Sequence, residues 1–308
     1  MPEASFPTGR RIAALALALA CGACSTMAPV NAWEPRLRGP AVVLLGEVHD
    51  NGEHHRLRLD VLRRAFAAGW RPAIAMEQFD RERQPEMDRA RREKPGDAQH
   101  LIDIAAAPSS RAGGGWNWDF YRPLVALALQ YDLPLIAANL SNADTTRIVR
   151  GGHAAVFDAA AVAALGLDLP MAADWQASQE HEIDVGHCNA LPPSLWPAMA
   201  RAQFARDAVM AAALRQHAGK GVVLLAGNGH VRRDIGVPRW LGRAWADRVV
   251  AVGYVERGDA VMPAAAFDAV VVAAAAARPD PCIEFEKRTG PAIAPAGPIS
   301  DRSRAGAR

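Results

Sequence analysis

Three stretches of the chain share one pattern, an apolar run that breaks off into polar residues. Val42-Val43-Leu44-Leu45 gives way at Gly46 to Glu47, His49, Asp50 and Asn51. Val222-Val223-Leu224-Leu225-Ala226 gives way to Gly227-Asn228-Gly229-His230, and Ala73-Ile74-Ala75-Met76 to Glu77-Gln78. Short continuous apolar runs rich in β-branched residues are what strands buried on both faces of a parallel sheet require. In open α/β sheets, ligands bind at the carboxyl ends of the strands. Parallel neighbours would therefore gather Glu47, His49, Glu77 and His230 on one rim.

The periodicity between these runs supplies the rest of an α/β fold. Leu57, Val61, Leu62, Ala65 and Phe66 recur at helical spacing, and Gly69 ends that helix ahead of the Ala73 run. Strand, helix, strand in that order implies a right-handed parallel crossover. Leu124, Leu127 and Ala128 carry a further helix into a strand over 133–138, which ends at Asn139, a candidate fourth contributor to the rim. Ala202, Val209, Met210, Ala213 and Leu214 predict a long helix over 198–217, on which Gln203 and Asp207 share a face. Runs at 249–254 and 267–272 complete the sheet. Residues 81–94 read as a solvated helix face, 141–164 as alanine-rich helix and 165–196 as irregular. The expected fold class is α/β, a mostly parallel sheet flanked by helices over residues 40–278. A helical or irregular insertion at about 141–200 is expected to cap the strand ends.

The two ends of the chain fall outside that domain. Arg10-Arg11 precede an apolar stretch from Ile12 to Ala20, the layout of a secretory signal. No other stretch approaches the ~20 apolar residues needed to span a bilayer. Residues 1–24 read as a lipoprotein-type signal, in which Ala23-Cys24-Ser25 fits a lipobox. Leu19-Ala20-Cys21 is the competing register, and an ordinary cleaved signal with incidental cysteines is the plain alternative. The residues just after Cys24 lack an aspartate, which favours an outer-membrane address, on the periplasmic side or at the cell surface. Residues 25–39 read as a tether, and 279–308, rich in proline and arginine, as a largely disordered tail. In an exported chain Cys188 and Cys282 are expected to form a disulfide rather than a metal site. Such a closure is worth on the order of 3–5 kcal/mol in the chain-entropy model.

Composition narrows the function. The chain is 50% hydrophobic, so it folds, and its net charge of +2 is spread without a basic stripe, which excludes a nucleic-acid partner. The rim residues suit two chemistries. Glu47, His49 and His230 can hold a divalent metal with a position left for water. Without metal, His49 or Glu77 can serve as a general base. The structural alternative pairs Glu47 with arginines in the core and uses His49 to cap the following helix. His54, His55, His100, His153, His181 and His217 read as exposed helix or loop histidines. Trp116-Asn117-Trp118-Asp119-Phe120-Tyr121 follows a Ser/Gly-rich loop and packs four aromatics into six residues of a chain only 6% aromatic. That group either covers the core or walls a flat apolar ligand.

Taken in order, the segments 44–51, Met76-Glu77-Gln78-Phe79-Asp80, 202–211 and 227–231 resemble the ChaN family of iron-regulated, haem-binding lipoproteins. The resemblance runs from about Pro40 to Tyr254. The family sits in a superfamily with Tiki, TraB and erythromycin-esterase-type proteins, which share a Gly-x-x-His pair and a glutamate. What this implies is an α/β fold with a helical insertion, and haem binding linked to iron uptake at the outer membrane. It also implies ligation by tyrosine and haem held between two subunits, as in a homodimer. Tyr121 is then the expected haem ligand, with Trp116 and Trp118 beside it, in preference to Tyr131 and Tyr254. Tyrosinate is a chemically reasonable ligand for ferric haem. The superfamily kinship also supports an alternative, a hydrolase with or without metal that uses Glu47, His49, Glu77 and His230.

Overall fold

The apolar runs pair as β1 (Val42–Leu45), β2 (Ala73–Asp80), β3 (Leu135–Asn139), β4 (Val222–Leu225), β5 (Val249–Glu256) and β6 (Ala269–Ala273). The computed structural model describes residues 33–34, 37, 39, 41–106, 115–258, 263, 265–280, 282–283 and 287. The expected signal, Cys21 and Cys24, and most of the tether and tail lie outside these residues. Among the described residues the six strands form one sheet in the order β3-β2-β4-β1-β5-β6, with every pairing parallel. β4 enters between β1 and β2, so that Val222 stands opposite both Val42 and Ala73. The three strands that carry the polar endings are therefore adjacent and point the same way.

Alternation along each strand sorts the side chains into two layers. Val43, Leu45, Ile74, Met76, Val223 and Leu225 pack against α1 (Gly52–Ala67), α2 (Gln84–Glu93), α3 (Ala98–Ala105) and α4 (Trp118–Gln130). Val42, Leu44, Ala75, Val222 and Leu224 face the other way, among residues of the long helix Trp196–His217. All four residues of β1 and of β4 are fully buried. Burying each such Val or Leu contributes roughly 1.5–3 kcal/mol. A polar residue is therefore tolerated only where the strand ends.

Helix α1 starts at Asn51, whose side chain accepts from the backbone N–H groups of Glu53 and His54. Asn51 thus performs the capping weighed above for His49, and its amide also donates to Glu256 at 2.6 Å and to the carbonyl of Ala274 at 2.9 Å. The charged run at 81–94 does more than face solvent. At the edge strand β3, the Gln84 amide accepts from Ala137 N–H at 2.7 Å and donates to the Leu135 carbonyl at 3.1 Å. Arg91 donates to the Leu133 carbonyl at 2.8 Å. These side chains occupy the hydrogen-bonding groups of an exposed sheet edge that would otherwise invite another strand.

Residues 142–195 form α5 (Asn142–Gly151), α6 (Ala159–Leu165) and α7 (Ala173–Gly186), with short 3₁₀ turns between them. The stretch expected to be irregular therefore contains a regular helix. Its only buried residues are Gln179 and Ile183, so α7 has no apolar stripe to betray it. It is pinned by Trp175, which donates to the Ile235 carbonyl at 2.9 Å, and by Glu182, which accepts from Arg232 at 2.5 Å. Just beyond its end, Cys188 and Cys282 are joined by a disulfide across 94 residues of sequence. The long helix Trp196–His217, α8, packs against α5 and α7 as well as the sheet. No described helix is long and apolar enough to cross a membrane.

Candidate functional site

Glu47 leaves the end of β1 pointing into the layer of α1 and α4, and its side chain is wholly buried. One carboxylate oxygen accepts from the Tyr121 hydroxyl at 2.5 Å and pairs with His49 Nδ1 at 2.8 Å. The other faces the guanidinium of Arg58, a fully buried residue on α1. Burial pulls the Arg58 pKa down to about 10, which still leaves it charged at neutral pH. The pairing of Glu47 with a core arginine is thus present, and it fixes the carboxylate that holds His49.

His54 and His55 are buried, not exposed as their surroundings in the sequence suggested. The reason is that α1 turns this face toward the sheet ends. His55 donates through Nε2 to the His49 carbonyl at 2.9 Å and takes Arg58 at Nδ1 at 2.9 Å, and its ring stacks on Phe120. Burial lowers its pKa to about 4, so it is neutral here. An unfolded chain takes a proton near 6.5 that the folded state refuses, so this contribution to stability is complete above about pH 6.5 and is lost as pH falls toward 4. The thermal midpoint of a His55→Gln variant is expected to vary less across that window than that of the parent. Equal slopes would remove His55 from the acid response.

On the other face of the sheet, Glu77 accepts from Gly227 N–H at 2.7 Å and lies 3.5 Å from His230 Nε2. His230 Nδ1 is 2.6 Å from Asp207, a buried acid on α8. Burial opposes charge on His230, but Glu77 and Asp207 outweigh it and raise its pKa well above the ordinary histidine value. Burial alone would raise Glu77, yet the His230 imidazolium holds its carboxyl well below the usual carboxylate range. The result is a buried acid–imidazolium–acid row, in which burial raises the Asp207 pKa against the pull of the His230 imidazolium while Glu77 is held ionised. Both nitrogens of His230 are committed, and Glu77 is a weak base, so neither suits proton abstraction.

His49 joins the two halves. A Cβ built on Gly227 would sit 2.8 Å from His49 Cε1, 3.1 Å from His49 Nε2 and 3.7 Å from Glu77 Oε2. Only glycine lets the ring lie against this turn. A Cβ on Gly46 would likewise fall 2.1 Å from Asn228 Oδ1, and that amide pairs with the Tyr254 backbone on β5. The two Gly-x-x-His turns are laced together over the strand ends. His49 remains half exposed, edge-on to Trp116 at 4.8 Å.

The family model for haem-binding uptake proteins of the Tiki superfamily, ChaN, matches residues 34–241. The chain belongs to the ChaN family. No curated protein matches it. Among solved structures, that of cofacial heme binding to ChaN of Campylobacter jejuni aligns with 77% of this chain and 89% of its own at a TM-score of 0.62 and 22% identity, a likeness of fold. An erythromycin esterase mutant, EreC in its open conformation, aligns with 72% of this chain and 71% of its own at a TM-score of 0.43 and 13% identity.

In this ChaN-family chain the metal set read from the sequence does not form. Among the described residues no three His, Cys, Asp or Glu side chains converge so as to hold a metal ion. Glu47 and His230 lie on opposite sides of the sheet ends, and each is already saturated by its own partners. Tyr121 is fully buried, with its hydroxyl given to Glu47 and its pKa raised by burial. Trp116, Trp118 and Phe120 are half-buried and pack on the core, with Trp118 5.0 Å from Phe79 and 6.0 Å from Tyr121. Covering the core and presenting an aromatic rim are one arrangement here. Asn139 is buried and accepts from Arg206 at 2.8 Å. Sequence reasoning placed Asp207 on the long helix without assigning it to the site, read His55 as exposed and did not single out Arg58. An acid within the apolar stripe of α8 was the available signal for Asp207.

Proposed function

We propose that this protein binds haem at the rim formed by His49 and Trp116, and that it serves haem or iron uptake as an exported protein anchored by lipid on Cys24, or Cys21, at the outer membrane. Haem binding is the property of the family to which the chain belongs. The signal-like start and the lipobox support export and anchoring. The cofacial heme of the Campylobacter protein supports a homodimer around paired haems. The observation that carries the placement is a half-exposed imidazole standing beside an aromatic face at the carboxyl ends of the strands.

The residues fit the group. Trp116 and Trp118 offer the flat apolar surface a porphyrin needs, and a nitrogen donor stands at its border. When bound, haem supplies a ferric centre open to a protein ligand and a strong visible absorption band. Truncating one aromatic contact costs about 0.5–1.5 kcal/mol, up to roughly tenfold in affinity. Haem titrated into the full-length protein in detergent is expected to saturate, and Trp116→Ala to weaken binding by up to about tenfold. Failure of the parent to saturate, or metal analysis showing a stoichiometric divalent ion in its place, would overturn this function.

A further inference from the structure

We propose that the Cys188–Cys282 disulfide is a redox-sensitive clasp, opened by a dithiol, that ties together the two flanks of the strand-end rim. Each cysteine continues an element with a foothold beside one of the two Gly-x-x-His turns. On one flank, α7 ends two residues before Cys188, and its Glu182 accepts from Arg232, two residues beyond His230. On the other, the segment that leaves β6 passes the start of α1. Its Ala274 carbonyl accepts from Asn51, and Ala276 N–H and Arg278 donate to Glu256. Arg278 also donates to Asp50, the neighbour of His49. Four residues further on, a reach of at most about 14 Å, Cys282 joins this segment to the end of α7.

Neither flank has much else to hold it. Trp175 packs on Phe204 and Trp240 near the start of α7, but beyond it the helix buries only Gln179 and Ile183. Residues 274, 275 and 277–280 are exposed. Segments with so few buried contacts open at low cost. The bridge also lies where a reductant can reach it. Both cysteines are half-buried, and Val185 and Ile283, 50% and 51% exposed, stand close to them in the chain. Cys188 and Asn189 are held at φ 62° and 53°, the left-handed region that side chains adopt at a cost. Such strain persists only where the surrounding structure imposes it. Opening follows thiol–disulfide exchange. A thiolate of the dithiol attacks one bridge sulfur and forms a mixed disulfide, and the other cysteine leaves as a thiolate that takes up a proton. The second thiol of the reductant, as its thiolate, then displaces the remaining cysteine. Two electrons and two protons pass to Cys188 and Cys282, which end as thiols, and the reductant ends as a disulfide.

Amide hydrogen exchange on the full chain in detergent, with and without dithiothreitol, tests this, and needs no haem. On reduction, exchange at 180–189 and 274–280 is expected to rise about tenfold or more, while β1 and β4 stay protected. The double variant Cys188→Ser with Cys282→Ser is expected to exchange at the raised rate without dithiothreitol and to give no further response to it. Equal exchange in the oxidised and reduced protein would overturn the clasp. Loss of protection in β1 and β4 along with the two flanks would also overturn it, because the bridge would then be a staple for the whole fold. A bridge that dithiothreitol reduces only once the protein has unfolded would do the same.

Discussion

Glu47→Gln is expected to lower unfolding stability by on the order of 3–5 kcal/mol, because it strands a buried guanidinium. Arg58 is fully enclosed, and its charge is matched by the Glu47 carboxylate. Glutamine has nearly the same shape but no charge to offer, so the loss falls on electrostatics rather than packing. The Tyr121 hydroxyl and His49 Nδ1 lose part of the same acceptor. The companion variant, Glu47→Gln with Arg58→Met, removes both charges and is expected to recover most of the stability, since an apolar replacement of a buried ion pair is often neutral. Urea unfolding of the parent, both single variants and the double variant checks this. A double variant as unstable as the worse single one would show that the pair is not the source.

His230→Ala is expected to have an effect of similar size, with a distinctive pH dependence. Removing the imidazolium leaves Glu77 and Asp207 as two buried carboxylates with nothing between them. At about pH 7.5 this is expected to cost on the order of 3–5 kcal/mol. In the variant both acids then have folded pKa values above their unfolded ones, so acidification relieves the strain. In the parent Glu77 is depressed, and its contribution is lost as pH falls below the ordinary glutamate range. His230 carries a pKa raised to about 10, so its contribution to the parent is complete below about pH 6.5 and lost as pH rises toward 10, and the stability gap between the two proteins is expected to narrow as pH rises from about 7.5 to about 10. A gap that stays constant would mean that the row is not charged as described.

Much of the rim could be read before any coordinates, and for a physical reason. Strands buried on both faces tolerate no polar side chain, so the ends of β1, β2 and β4 announce themselves in sequence as Glu47, Glu77 and Gly227-Asn228-Gly229-His230. Which acid meets which imidazole was not legible. That depends on β4 entering between β1 and β2, a fact of topology that no local pattern encodes. His55 read as a surface residue, and Arg58 drew no reading, because α1 carries polar groups on the face it turns toward the site. Tyr121 was read as the expected haem ligand of the aromatic segment, and its hydroxyl is instead given to Glu47, 74 residues away. Gln84 and Arg91 hid in a charged run because their partners are backbone atoms of an edge strand.

The strand ends are where this chain is proposed to meet haem. A crystal structure of the full-length protein loaded with ferric haem tests that directly. The porphyrin is expected against Trp116 beside His49, with the Glu47–Arg58–Tyr121 contacts intact. A porphyrin seated elsewhere, such as the roughly 490 Å³ cavity lined by Arg81, Arg91 and His217 at the β3 edge, would contradict it.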